Sequence, residues 1–243
     1  HLEGVWTRNA DPSDQLAELS AIVPDGADQT SAAEKVLQHL RSMHANPVDI
    51  DLISDRVRQM RESGATAAVA VSPHGILDLL PAILKAEPDV LIITGPVVSA
   101  EVIAKGEPLN LKTVLRRLEV PVFVGGCTSY NAALHLMRTG AAGVLVGVGS
   151  GNRQGTAAVL GVGAPQATAI ADARAARMRH MDETGVYCHV ISHGGIRSSS
   201  DIAKSIACGA DPVMVGSPHA PGSVAPGGGR VGRIGELNPS LAQ

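Results

Sequence analysis

The chain has 243 residues, 44% of them apolar and 18% charged, with a formal charge of −3. That length and balance support a sizeable buried core, no apolar run is long enough to span a bilayer, and no basic, aromatic-studded face is present to recruit nucleic acid. Any anion therefore has to be held locally. Twenty-seven glycines against four aromatics (Trp6, Phe123, Tyr130, Tyr187) predict a core of Val, Ile, Leu and Ala with many tight turns, an α/β composition. Cys127, Cys188 and Cys208 form no CxxC pair, and no signal, transit or lipidation motif is visible, so a reducing, cytoplasmic setting is expected.

Up to residue 65 the chain reads as helix and loop, broken at Asp11-Pro12, Pro24-Asp25-Gly26 and Asn46-Pro47. DIDLISDRVRQMRESG (49–64) sets Ile50, Ile53, Val57 and Met60 on one helical face and stops at Gly64. Six apolar, β-branched runs follow: TAAVAVS (66–72), DVLIIT (89–94), VPVFVGG (120–126), AGVLVG (142–147), YCHVIS (187–192) and DPVMVG (211–216). Continuous apolar character, without alternation, is the mark of parallel strands buried on both faces. A helix-like segment follows each run, so strand, helix, strand is the unit.

Two of these units match in spacing. Gly125-Gly126 leads to Gly140-Ala141 and Gly147, and Gly194-Gly195 leads at identical intervals to Gly209-Ala210 and Gly216. Such repetition predicts a rotationally repeated sheet, a (β/α)₈ TIM barrel, with a doubly wound sheet as the alternative. A barrel needs eight strands, and six are legible.

The pair Gly194-Gly195 falls between a strand and a helix. Glycine admits positive φ and lets an anion approach backbone N–H groups, while Ile196 to Ser200 open a helix whose first N–H groups lack intrahelical acceptors. Gly216-Ser217 ends the next strand and adds an amide and a hydroxyl. Loops after the last two strands of a barrel commonly form a phosphate pocket, which makes these residues its candidates; the plainer reading is that the glycines serve tight turns.

HLEGVWTRNADP (1–12), GEPLNLK (106–112), VPVFVGGCTSYNAALHLMRTGAAGVLVGVGSG (120–151), VLGVGAPQATAIADA (159–173) and HGGIRSSSDIAKSIACGADPVMVGSP (193–218) together resemble the IMP dehydrogenase/GMP reductase family. The likeness is nearest to its third branch, the dehydrogenase-related proteins of actinobacteria and cyanobacteria. It implies a single (β/α)₈ barrel domain over 1–243, without an inserted CBS-type regulatory domain and lacking the first two strands and the C-terminal flap, HLEGVW being the exit of the second strand. It also implies a purine nucleoside monophosphate, IMP or GMP, held by Ser150, Gly151, Asn152, Gly194, Gly195, Gly216 and Ser217. NAD or NADP is implied as cofactor, with Thr94, Gly95, Gly125 and Gly126 as its candidate contacts, and the family's habit is a homo-tetramer.

Two stretches depart from the family pattern. Around the nucleophile it reads G-x-G-P-G-x-x-C-T-T-R-x-V-L-G, whereas this chain reads GVGSGNRQGTAAVLG (147–161), placing Gln154 at the cysteine, Gly155 at the first threonine and Ala157 at the arginine. An amide cannot form the covalent thioimidate, and Thr156 is left as the candidate helper for water. His193 stands where the family carries the aspartate that holds the ribose hydroxyls; an imidazole makes one hydrogen bond there and loses the bidentate, charge-assisted grip. The resulting expectations are hydride exchange at purine C2 with an altered nucleophile, a non-catalytic nucleotide sensor, or an FMN-dependent barrel oxidoreductase.

Other residues carry weaker expectations. Cys127 is a substitute nucleophile or, more plainly, a small packed residue at the rim, and Cys188 and Cys208 read as core. Arg153 either meets an anion or faces water, and His74 is an exposed loop residue or lines the cofactor side. Asp201 is a first-turn acid and Lys204 a surface charge. The pairs His39/His44 and His189/His193 lack the third ligand of a zinc site, so no metal is expected.

Overall fold

A computed structural model describes residues 2–3, 7–8, 35, 38–39, 41–102, 108–148, 161–216 and 218. Helix α1 (Ile50–Glu62) is capped by Asp49, whose carboxylate accepts from Asp51 and Leu52 N–H, and it buries Ile53 and Val57. Ile50, expected on the same face, is the first residue of the helix and is 52% exposed. Gly64, at φ +79°, follows the helix as expected.

The remaining elements alternate. They are β1 (Ala68–Val71), α2 (Ile76–Ala86), β2 (Val90–Thr94), β3 (Glu101–Val102), β4 (Leu109–Asn110), α3 (Leu111–Leu115), β5 (Val122–Cys127), α4 (Tyr130–Met137), β6 (Gly143–Val146), α5 (Gln166–Thr184), β7 (His189–His193), α6 (Ser199–Cys208) and β8 (Val213–Met214). All six apolar runs became strands. The short antiparallel pair β3–β4 was not foreseen, since two residues per strand carry no periodicity.

The six strands form one parallel sheet in the order β1-β2-β5-β6-β7-β8. Each neighbour is the next strand along the chain apart from the β3–β4 excursion. A doubly wound sheet requires the order to reverse at a switch point, and this order never does. The sheet is a curled part of a (β/α)₈ barrel with helices outside it.

Its interior is aliphatic: Val71, Leu91, Ile93, Val124, Val144, Leu145, Val146 and Val190 are sealed from solvent, as are Ile76, Leu111, Leu136, Met137 and Ile170 from the helical layer. Burying side chains of this size stabilises by roughly 1.5–3 kcal/mol each before entropy is subtracted. Along the outer edge of β1, Leu2 N–H donates to the Ala70 carbonyl at 2.7 Å, and the Glu3 carboxylate accepts from Ser72 N–H and hydroxyl at 2.6 and 2.7 Å. The segment read as the exit of a preceding strand therefore lies where such a strand would pair.

Opposite ends of the sheet are built differently. At the N-terminal end, Asp211 accepts from Arg177 (2.6 Å), the Tyr187 hydroxyl (2.6 Å) and Val190 N–H (2.8 Å). The Arg177 guanidinium also stacks 5.0 Å over the Tyr187 ring. Burial disfavours the charge on Asp211, yet the Tyr187, Val190 and Arg177 donors together hold its carboxyl below the ordinary carboxylate range.

Candidate functional site

Because the strands are parallel, the residues that follow them gather at one end, where barrel proteins place their ligands. His193 ends β7 and pairs in register with Met214 of β8, so Gly194-Gly195 and Gly216 leave neighbouring strands on the same side. Gly194 and Gly195 have φ of +90° and +74°, a conformation that costs a side-chain-bearing residue about 1 kcal/mol or more. Gly216 is exposed and His193 half-buried. Ser150, Gly151, Asn152, Gln154, Thr156 and Ser217, together with Arg153, lie outside the described residues.

The helix after this corner begins later than expected, at Ser199, with Ser198 as its cap. Two of the N–H groups expected for an anion are already engaged: Arg197 and Ser198 both donate to Asp201 Oδ2 at 3.1 Å, joined by the Ser198 hydroxyl at 3.0 Å. Lys204 Nζ lies 2.9 Å from the other oxygen. The Lys204 ammonium, the Arg197 N–H and the Ser198 hydroxyl hold the Asp201 carboxyl far below the usual range. Among the described residues, Gly195 and Ile196 N–H have no acceptor.

Gly125 and Gly126 occupy a different environment despite the matched spacing. Both are buried inside β5, and their peptide bond is cis. A Cβ on Gly125 would collide with the Leu145 carbonyl and come within 2.7 Å of Leu145 Cβ; one on Gly126 would reach the Gly147 carbonyl at 2.6 Å. Their backbones are also committed, since Gly95 N–H donates to Gly125 O at 3.0 Å and Gly126 N–H to Gly95 O at 3.1 Å. Thr94 and Gly95, at the end of β2, are half-buried. His74 is exposed in the turn after β1.

Cys127 closes β5 as a core residue, 2% exposed, its thiol donating to the Leu145 carbonyl at 3.5 Å. Burial pushes that thiol up to about 12, the opposite of what an attacking thiolate needs. Cys188 is buried beside β7 and likewise raised to about 12 by burial, whereas Cys208 is only half-buried. Among the described residues no three His, Cys, Asp or Glu side chains gather to hold a metal, and no helix is long and apolar enough to cross a membrane.

One polar side chain at this end was not singled out from sequence. Gln166, the first residue of α5, donates through Nε2 to the Val146 carbonyl at 2.7 Å and the Ser192 hydroxyl at 3.1 Å. The available signal was a glutamine directly after Pro165 at a helix start, a position where a helical interior gives it no role.

A parallel sheet in unreversed strand order, with the glycine corners after β7 and β8 side by side at its C-terminal end, defines part of an α/β-barrel protein. The chain belongs to the IMP dehydrogenase/GMP reductase domain family, which it matches over residues 7–233. It is 47% identical over 242 residues to an uncharacterized oxidoreductase of Mycolicibacterium smegmatis and 46% identical over 242 residues to one of Mycobacterium leprae, covering 98% of this chain and 64% of each relative. The inosine-5′-monophosphate dehydrogenase of Haemophilus influenzae is 38% identical over 174 residues, 71% of this chain and 33% of that enzyme. In structure the chain is similar to an IMP dehydrogenase/GMP reductase-like protein from Corynebacterium glutamicum, with a TM-score of 0.84 and 42% identity over 98% of this chain and 61% of that one. The chain thus spans somewhat under two thirds of the length of these actinobacterial relatives.

Proposed function

We propose that the protein holds a purine nucleoside 5′-monophosphate, IMP or GMP, beyond the ends of β6, β7 and β8 and exchanges hydride between its C2 position and NAD or NADP. The observation that carries the reading is the register of His193 with Met214, which puts the Gly194-Gly195 and Gly216 corners side by side. Gly195, Ile196 and Gly216 N–H would meet the phosphate together with Ser217 and the Ser150–Asn152 stretch. Three or four charge-assisted hydrogen bonds of roughly 1.5–3 kcal/mol each, less desolvation and entropy, make a modest anchor. The base and ribose must add the rest.

His193 would give the ribose a single hydrogen bond, and Thr156 would assist water. Gln154 holds the place of the family's nucleophile without being one, so the covalent route is altered. A nicotinamide, when bound, takes or supplies the hydride. Thr94 and Gly95 fit its edge because they are half-buried at the rim, while the sealed Gly125-Gly126 pair would form the wall behind it. A homo-tetramer in the cytoplasm is the accompanying expectation.

A specific observation favours a second reading, a nucleotide sensor without turnover: besides Gln154, Cys127 is buried and held as the neutral thiol. Purified protein mixed with IMP or GMP and NAD(P)+ or NAD(P)H separates the two. A change in nicotinamide absorbance supports hydride exchange; binding without turnover supports the sensor. Absence of nucleotide binding, or a yellow flavin-carrying protein, overturns both.

A further inference from the structure

Gln166 joins two strand ends that the phosphate reading depends on. Val146 and Ser192, which accept its two hydrogen bonds, are register partners at the C-terminal ends of β6 and β7. The chain thus returns, 20 residues later, to the strand end it left. From there the linkage continues to the helical layer, since the Ser192 hydroxyl lies 3.2 Å from Ser205 Oγ on α6, both buried. One amide therefore ties together the corner after β6, the corner after β7 and the helix behind them.

Space at this junction is minimal. A Cβ on Gly147, at φ +138°, would run into the His193 carbonyl and lie 2.8 Å from Gln166 Oε1. The two corners are thus in backbone contact where Gln166 bridges them. Glutamine suits the task because one nitrogen carries two N–H groups and can serve two acceptors at once. A leucine of similar size would remove the donor to the Val146 carbonyl and leave the Ser192 hydroxyl only Ser205, and a glutamate would set a carboxylate oxygen against that carbonyl. Gln166 Oε1 is buried and has no donor among the described residues, so the side chain is held through its nitrogen alone.

We propose that Gln166 is a positioning residue for nucleotide binding: by bonding Val146 to Ser192 it fixes the spacing of the Gly147 and Gly194-Gly195 corners and so pre-arranges the N–H groups that meet the 5′-phosphate. The proposal rests on the phosphate reading above. Donors fixed before the ligand arrives spare it the ordering cost, whereas a loosened corner charges that cost to binding.

The test compares IMP with inosine, which differs only by the phosphate, on the wild-type chain, Gln166→Leu and Ser192→Ala. The ratio of their dissociation constants isolates the phosphate contribution. That ratio should fall about tenfold in Gln166→Leu and about threefold in Ser192→Ala, one hydrogen bond's worth or less, with inosine affinity unchanged. Equal weakening of both ligands, or an unchanged ratio in both variants, overturns the proposal. Should Gln166→Leu fail to fold, Ser192→Ala decides, because it keeps the bond to Val146. A wild-type ratio near one sinks the phosphate reading itself; a large wild-type ratio with unaffected variants sinks only the role of Gln166.

Discussion

Gly125-Gly126 and Gly194-Gly195 occupy equivalent places in two matched strand–helix–strand units, yet they do different physical work. The first pair lies within β5, sealed, with its backbone bonded to Gly95 and no room for a Cβ. The second lies past the end of β7, half-buried, in left-handed conformations that turn the chain toward a helix. Strand spacing demands glycine in one case and backbone direction demands it in the other. Identical sequence intervals therefore report a shared architecture and say nothing by themselves about a shared ligand.

That contrast can be broken by substitution. Gly125→Ala forces a methyl against the Leu145 backbone and should cost about 3 kcal/mol of unfolding free energy in a denaturant titration, with or without nucleotide. A loss below 1 kcal/mol would show that β5 and β6 can part. At the other pair, His193→Asp should tighten IMP about tenfold by restoring a charged acceptor for the ribose diol, with no gain for a 2′,3′-dideoxy analogue. Gly195→Ala should cost about 1 kcal/mol in stability through its positive φ, while weakening IMP more than inosine.

A smaller effect sharpens the same boundary. The Asp201 carboxyl is depressed in the folded state, so the stability it lends is present above its ordinary value of 3.8 and fades as pH falls toward the folded value. Asp201→Asn should flatten that acid limb of a stability-against-pH curve and leave the neutral region almost unchanged. An acid limb as steep as that of the unsubstituted chain would mean other carboxyls set it.

Every strand of the main sheet was legible as an apolar run, although two-sided burial holds throughout only for β6: β1 and β2 alternate buried with partly exposed residues, and β8 is only half-buried. The doubly wound alternative fell only when strand order was seen, since sequence intervals do not encode which strand lies beside which. The glycine corner after β7 was legible through its paired glycines and their place in the chain. What escaped was made by side chains reaching backbone elsewhere: Asp201 taking the Arg197 and Ser198 amides, and Gln166 reaching Val146. Neither leaves a periodic trace. Ile50 failed for a related reason, as a helical face defines direction but not which turns along it are covered.

The Asp211 knot beneath the sheet also has an evolutionary consequence. Arg177, Tyr187 and the Val190 amide converge there, at the end away from the glycine corners. Cohesion invested at the floor leaves the ceiling free to vary: a side chain such as His193 can change without disturbing what keeps the strands side by side. A lineage built this way can retire or rewrite a reaction while its scaffold persists.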